Sequence, residues 1–523
     1  MTTAAIGSVL DLLMFAALCA LILTGLPVTF ILTGCAMIFG ALGIAFGVFD
    51  HFLLGALAQR VMGTMTSEVL VAIPLFVFMG IMLERSRIAE ELLEAMGKLF
   101  GSVRGGLAIS VSLVGALLAA STGIVGATVV TMGLMALPAM LRRGYDKPFA
   151  CGTICAAGTL GQIIPPSTVM VILGEVLASA YQQSQLAQGK FSIETVSVGE
   201  LFAGSMIPGL LLVGLYILYQ LIACWLNPAL GPAIPREEAG RVTRAELARA
   251  LLPPIVLIVA VLGSILGGIA TPTEAAAVGA VGATLLAGLR AGGGSPWPIY
   301  AAGMAAIGMA VLGAQFDLRL GRSAPPLADQ LAIAVATLAA LVLAAGLLVA
   351  LRRCWRGAVL APVCRATMTI TAMIFATLIG ATLFALVFRG LGGDEMVHTA
   401  LSAIPGGLYG ALAAVMLVMF LMGFFLDFVE ITIIVMPIVA PILLGMGADP
   451  IWLGVMVAVN LQTSFLTPPF GFSLFYLGGV SKGMVSTGDI YRGIVPFVLI
   501  QLFALCLIVA FPALATWLPN LLF

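Results

Sequence analysis

The sequence predicts an all-α polytopic membrane protein built from inverted repeats, with two re-entrant hairpins and two broken helices. Three observations carry this. Hydrophobic residues make up 62% of the chain and charged ones 9%, mean hydropathy is +1.19, and apolar runs of about 20 residues, enough to span a bilayer, recur throughout. Two of these runs contain a diproline, Pro165-Pro166 and Pro468-Pro469, and Pro138 and Pro441 precede them by the same 27 residues. Finally, the lysines and arginines divide between the two faces in a way that an odd number of crossings between the two diproline units explains.

The amino-terminal segment has no basic residue ahead of its apolar run, so residues 8–24 are expected to be a retained first span and not a cleaved signal. Asp50 to Ser67 and Glu84 to Lys98 have amphipathic patterns expected of interfacial arm helices. The apolar stretch 104–142 is too long for one span, and Ser121, Thr122, Gly123 and Gly126 interrupt its middle. Two short arms meeting at a polar tip fit it better. A broken helix over 147–181 follows, with Gly158-Thr159-Leu160-Gly161-Gln162 leading into Pro165-Pro166-Ser167. Proline has no N–H to donate and its ring clashes with the preceding turn, so a diproline frees carbonyls at mid-membrane, where only packing or a wet cavity tolerates them.

Crossings are then expected near 200–226, 251–268, 272–289, 297–316, 329–351 and 366–388. The diprolines Pro253-Pro254 and Pro325-Pro326 are expected at helix starts, where a missing N–H costs little. Thr271-Pro272-Thr273-Glu274 reads as a capping box that opens a helix. With the first hairpin entering from the cytoplasmic side, every basic residue except Arg60, Lys190, Arg319, Arg322 and Arg389 falls on that side. The second hairpin, 406–446, then enters from the opposite face. Its apolar stretch carries two carboxylates, Asp427 and Glu430, and a second break follows at Asn460 to Gly471. Ionisable residues inside a membrane point to function, although an acid near a hairpin bend can also simply reach interfacial water.

The same reading excludes several function classes. No polar interlude is long enough for a soluble domain, and no Walker-type loop is present, which argues against an ATP-driven pump. Two histidines and eight scattered cysteines, Cys151 and Cys155 one turn apart among them, fit core residues better than a metal or disulfide centre. An intramembrane enzyme would need a nucleophile with its base, or a metal cluster. Neither is visible, so no enzyme is expected. Helices broken at corresponding places in two halves mark a secondary transporter, and freed carbonyls beside hydroxyls and amides suit a dehydrated cation.

Gly158-Thr159-Leu160-Gly161 with Ile164-Pro165-Pro166-Ser167, Gly268 to Ala276, Met422-Gly423-Phe424-Phe425-Leu426-Asp427 and Thr467-Pro468-Pro469-Phe470-Gly471 resemble the large membrane subunit of tripartite ATP-independent periplasmic (TRAP) transporters over nearly the whole chain apart from roughly 290–360. The resemblance implies an elevator-type symporter of the bacterial or archaeal cytoplasmic (inner) membrane, with Na⁺ as coupling ion and no organic cofactor. It implies a small membrane subunit and a periplasmic substrate-binding protein as partners, an organic anion, usually a carboxylate, as substrate, and no role for nucleic acid. Carried onto this chain, Na⁺ sites would use Ser121, Thr122, Gly126, Thr159, Gly161 and Gln162 in the first half, and Asp427, Asn460, Thr463, Ser464 and Thr467 in the second. The substrate would lie between the tips, against Ser121, Pro165, Pro166, Ser167, Pro468, Pro469 and Gly471. A stand-alone ion-coupled carboxylate carrier is the nearest rival, and proton coupling through Asp427 stays open.

The expected division is N-terminal scaffold and interfacial arm helices (1–100), a first transport repeat (101–181), scaffold helices (182–289), a two-helix insertion (290–360), a scaffold helix and linker (361–405), a second transport repeat (406–481) and a C-terminal helix (482–523).

Overall fold

The computed structural model describes residues 3–86, 88–123, 125–190, 192–233, 243–319, 326–481 and 483–523. Among the described residues the regular elements are all helices, and eleven are long and apolar enough to cross a membrane. One further pair of helices, Gly393–Ser402 and Gly407–Met422, is bent by 120° at its break.

Helices α1 (Thr3–Ile22) and α2 (Val28–Ala45) pack together, and α1 begins ahead of the span expected at 8–24. Helix α3 (Gly55–Thr66) buries none of its residues, as a peripheral amphipathic helix should. The second expected arm helix, 84–98, is instead split. Helix α4 (Ala72–Arg85) buries Ile73, Phe76, Val77, Met79 and Met82 and ends where the Ser86 hydroxyl turns back to the Leu83 carbonyl, 2.8 Å away. Only α5 (Ile88–Phe100) keeps the amphipathic pattern, with Glu90 and Glu91 in its first turn and Lys98 in its last. Glu84, half-buried, and Arg85, exposed, are the final residues of α4.

The first hairpin is α6 (Gly106–Thr122) and α7 (Val125–Arg142), and the broken helix after it is α8 (Lys147–Thr159) and α9 (Thr168–Ala187). The chain continues through α10 (Val198–Leu226), α11 (Arg244–Leu266), α12 (Pro272–Arg290), α13 (Trp297–Gln315), α14 (Leu327–Arg356), α15 (Leu360–Leu391) and α16 (Gly393–Ser402). The second hairpin is α17 (Gly407–Met422) and α18 (Phe428–Gly445), its broken helix is α19 (Pro450–Leu466) and α20 (Phe472–Val480), and α21 (Thr487–Ala510) and α22 (Ala513–Leu522) close the chain.

Pro253-Pro254 does not start a helix, contrary to expectation. Helix α11 begins at Arg244 with a Thr243–Glu246 capping box and runs through both prolines. The Arg249 carbonyl, which Pro253 leaves without its helical donor, accepts Arg290 Nη2 at 3.2 Å, so a side chain from α12 replaces the missing bond. Pro326 does cap α14 as expected. Helices α13 and α14 pair with each other and touch the rest mainly through α12, with a smaller contact between α14 and α15, and Arg353 Nη2 holds the loop before α13 by the Ser295 carbonyl at 2.6 Å.

Lipid tails are as apolar as leucine, so these helices gain by close packing of small residues more than by leaving water. A Cβ on Gly115 would stand 2.7 Å from that of Ala157, and one on Gly158 would overlap Val129, so the first hairpin lies directly on α8. The second arms cross over between halves. Helix α7 packs on α20, where Gly126 and Gly133 admit Tyr476 and Leu477, while α18 packs on α9. This exchange encloses α8 and α19, which are buried on all sides from Phe149 to Thr159 and from Ile451 to Leu466. The first break, 160–167, therefore lies inside the molecule, whereas the second opens to its surface at Pro469 and Phe470.

Candidate functional site

Each diproline leaves two carbonyls without their helical donors, and the two halves settle one of these alike. The carbonyl freed by the second proline is taken by a downstream serine: Ser167 Oγ donates to Gln162 O at 3.2 Å, and Ser473 Oγ to Phe465 O at 2.8 Å. Ser167 also caps α9 by accepting the Val169 N–H at 3.2 Å. The Pro469 carbonyl accepts the Tyr491 hydroxyl at 2.7 Å, and both Pro-Pro bonds are cis. Ser167 and Gly471 are enclosed, and a Cβ at Gly471 would press on the Phe465 carbonyl.

Around the first break, Thr159, Gln162 and Gln462 are buried together. Thr159 Oγ1 donates to Ala156 O at 2.9 Å and accepts Gln462 Nε2 at 3.4 Å. Both amide atoms of Gln162 and the amide oxygen of Gln462 lack a hydrogen-bond partner among the described residues. A buried orphan amide costs on the order of 1–3 kcal/mol, so a site with several asks for a ligand. The backbone of Gly161 lies in the same turn, Leu160–Gln162. The side chains of Ser121 and Thr122, and Ile124, lie outside the described residues. Gly123, at φ 60°, forms the tip, and its carbonyl accepts Thr168 Oγ1 at 3.5 Å.

The second group sits in the last turns of α19. Thr463, Ser464 and Thr467 donate to Val459 O, Leu461 O and Thr463 O at 2.8, 2.7 and 2.8 Å, leaving hydroxyl lone pairs for a further partner. Asn460 Nδ2 donates to Met416 O at 2.9 Å, tying α19 to the second hairpin and leaving its oxygen as an acceptor. Gly423 brings the hairpin onto Ser464, since a Cβ there would overlap the Ser464 hydroxyl. Asp427 is engaged differently. It is the N-cap of α18: its carboxylate accepts the Phe428 N–H at 2.8 Å, and Glu430 Oε2 accepts the Asp427 N–H at 3.0 Å.

A cavity of about 470 Å³ joins the two halves. It is lined by Gly123 and Gly126 of the first tip, Gln162 and Thr168 of the first break, Asp427 of the second tip, and Phe465 and Tyr476 of the second broken helix. Its opposite wall is α4, through Glu84 and Arg85, and α15, through Ile370 and Ile374. Pro165, Pro166, Ser167, Pro468, Pro469 and Gly471 are not among the residues that line it. Glu84 Oε1 accepts the Thr131 hydroxyl at 2.7 Å and so joins α4 to the first hairpin. Arg85 is exposed and is the only basic residue among the described lining.

Sequence reasoning did not select Gln462, Ser473, Tyr476, Glu84 or Arg85. Gln462 lies within the second break segment and Ser473 follows its diproline, so the first break was a usable template for both. Nothing local marks Arg85, which lies far along the chain from either tip.

The protein-family model described as "Tripartite ATP-independent periplasmic transporter, DctM component" matches residues 15–314 and 326–514. Nearly all of α13 and the whole of α14 lie in these ranges, so the likeness extends into the region set apart above. The chain is 31% identical to the C4-dicarboxylate TRAP transporter large permease protein DctM of Pseudomonas aeruginosa, over 89% of each chain. It is 29% identical to the protein of that name from Vibrio cholerae, over 90% of each. Its fold is similar to the crystal structure of the YdaH transporter of Alcanivorax borkumensis, with TM-score 0.55 over 89% of this chain and 88% of that one; at 16% identity this is a likeness of fold. The family match spans both hairpins, both breaks and the helices around them: the chain belongs to the DctM component family of tripartite ATP-independent periplasmic transporters, a multi-pass transport protein of the inner membrane.

Proposed function

We propose that this chain forms the translocation path of a Na⁺-coupled symporter that brings an organic carboxylate into the cytoplasm, working with a small membrane subunit and a periplasmic binding protein that delivers the substrate. The observation that carries this reading is the shared cavity. Two hairpin tips, the first break and the second broken helix meet there, and the guanidinium-bearing Arg85, with no ion pair among the described residues, lines the same cavity. In this reading Arg85 holds the substrate carboxylate, with Tyr476, Thr168 and the tip backbones completing its surroundings. A charge-assisted bond of this kind is about twice as strong as a neutral one.

Na⁺ enters as a co-substrate. Thr159, Gly161 and Gln162 with the Gly123–Gly126 tip would bind one ion, and Asn460, Thr463, Ser464 and Thr467 another. The donor set fits, because these hydroxyls already donate to backbone carbonyls and present oxygen lone pairs. Asp427 lines the cavity between the two groups and adds negative charge. The exchange of α7 and α18 between broken helices supports an inverted repeat that moves as one body against α1, α2, α4, α12 and α15. In that division 101–181 and 406–481 form the moving part, and 1–100, 182–289, 290–360, 361–405 and 482–523 belong to the frame.

Uptake into proteoliposomes containing this chain and its small subunit tests the proposal, using labelled carboxylates with and without a Na⁺ gradient and added binding protein. The expected result is uptake that needs both, with Arg85→Gln raising KM about tenfold, the loss of one charge-assisted bond. Uptake without a binding protein would favour a self-sufficient carrier. An Arg85→Gln variant with unchanged KM would remove Arg85 from the site.

A further inference from the structure

We propose a second carboxylate-binding site at the other end of α15, formed by Arg60 and Arg389, which takes the substrate on the outer face before it reaches the hairpin tips. This rests on the carboxylate reading above.

A separate cavity of about 400 Å³ is lined by Arg60, Thr64, Glu175, Gln183, Thr382 and Arg389 together with apolar residues. Arg389 is held rigidly. Its Nη2 donates to Gln183 Oε1 at 2.8 Å and to Pro437 O at 3.0 Å, the carbonyl that Pro441 leaves without its helical donor, and its Nε lies 3.2 Å from Asp394 Oδ2. Arg60, on α3, has no ion pair among the described residues. Burial of its stem and then the Arg389 guanidinium push its pKa below the usual value, as a nearby like charge does. The carboxylate in the cavity wall, Glu175, already accepts the Ser67 hydroxyl at 3.2 Å. Two guanidiniums facing one cavity repel each other, and an anion between them removes that repulsion while offering both a charge-assisted bond.

One face of α15 links this cavity to the first. Ile370 and Ile374 line the cavity of Arg85, and Leu378, Thr382 and Arg389 continue the same helical stripe into the cavity of Arg60. Helix α18 follows alongside, with Val429 at one end and Ile433 and Pro437 at the other. From Ile370 to Thr382 the helical rise is about 18 Å, and one turn, Ile374 to Leu378, separates the linings of the two cavities. Arg60 and Arg389 are also among the few basic residues that the positive-inside distribution assigns to the outer face, and the same distribution assigns Arg85 to the cytoplasmic side. Each end of the seam thus has its own guanidinium for the same carboxylate.

With the small subunit reconstituted and the binding protein supplied outside, the test measures KM for externally supplied substrate and, by counterflow, for internal substrate, in neutral phosphatidylcholine vesicles and in vesicles with added anionic lipid. Arg60→Gln is expected to raise the external KM about tenfold and leave the internal one unchanged, with Arg60→Lys recovering most of the loss. An unchanged external KM, or an equal shift on both faces, would overturn the proposal. A defect confined to vesicles with anionic lipid would assign the pair to a lipid headgroup and overturn it as well. Wild-type protein that carries no carboxylate would sink both this inference and the reading beneath it, whereas wild-type carboxylate uptake with an unaltered Arg60→Gln variant would sink this one alone.

Discussion

Replacing Asp427 separates a structural role from a transport role at one position. Its carboxylate caps α18 through the Phe428 N–H, while Glu430 returns the favour to the Asp427 N–H. Losing an N-cap costs roughly 0.5–2 kcal/mol, typically about 1, and that is a roughly fivefold shift in the equilibrium for opening the helix end. Asparagine ranks with aspartate as a cap and keeps the acceptor oxygen. It gives up the charge at the helix N-terminus, a loss of about 0.3–1 kcal/mol that Glu430 in the same turn offsets in part. Thermal unfolding in detergent should therefore rank wild type first, Asp427→Asn close behind and Asp427→Ala lowest. Uptake at varied Na⁺ should separate the roles: if the carboxylate also serves the cavity it lines, Asp427→Asn folds normally and changes its Na⁺ dependence. An Asn variant as unstable as the Ala variant would refute the capping argument. Wild-type Na⁺ dependence in the Asn variant would refute the transport role.

Gln162→Leu removes a buried amide whose atoms both lack partners among the described residues, so thermal stability should stay level or rise, by up to roughly 1–3 kcal/mol, while uptake is lost; parallel loss of folding and uptake would show that the amide is structural. Gly423→Ala drives a methyl into the Ser464 hydroxyl and should lower stability by about 1–3 kcal/mol, with Ser464→Gly in the same chain restoring the melting temperature. Thr271→Ala breaks the capping box of α12 by removing the Oγ1 that accepts the Glu274 N–H at 3.3 Å, and should cost about 1 kcal/mol with no change in KM. A shifted KM there would mean that the motif does more than start a helix.

The two breaks were legible because their cause is local. A proline has no N–H wherever it stands, and hydropathy with polar interruptions located both hairpins, Gly106–Thr122 with Val125–Arg142 and Gly407–Met422 with Phe428–Gly445. Helix starts were less legible. Pro253 sits inside α11 because Arg290, on another helix, supplies the missing donor, and no local pattern around residue 253 announces that. Asp427 looked like an acid near a bend, but the geometry of its own turn makes it a cap.

The sequence by itself determined that this is a polytopic membrane protein with two diproline breaks at matching places, and it named most of the polar groups beside them. Only the tertiary structure decided that α7 lies on α20 and α18 on α9, and that serines at different offsets take the freed carbonyls of Gln162 and Phe465. It also decided that Arg85, at the end of a helix that looked interfacial, faces both tips across one cavity. Donor loss and hydropathy belong to each stretch of chain, whereas the walls of a cavity depend on which helices approach closely. That is governed by small residues such as Gly115, Gly158 and Gly423, whose partners stand far away in the sequence.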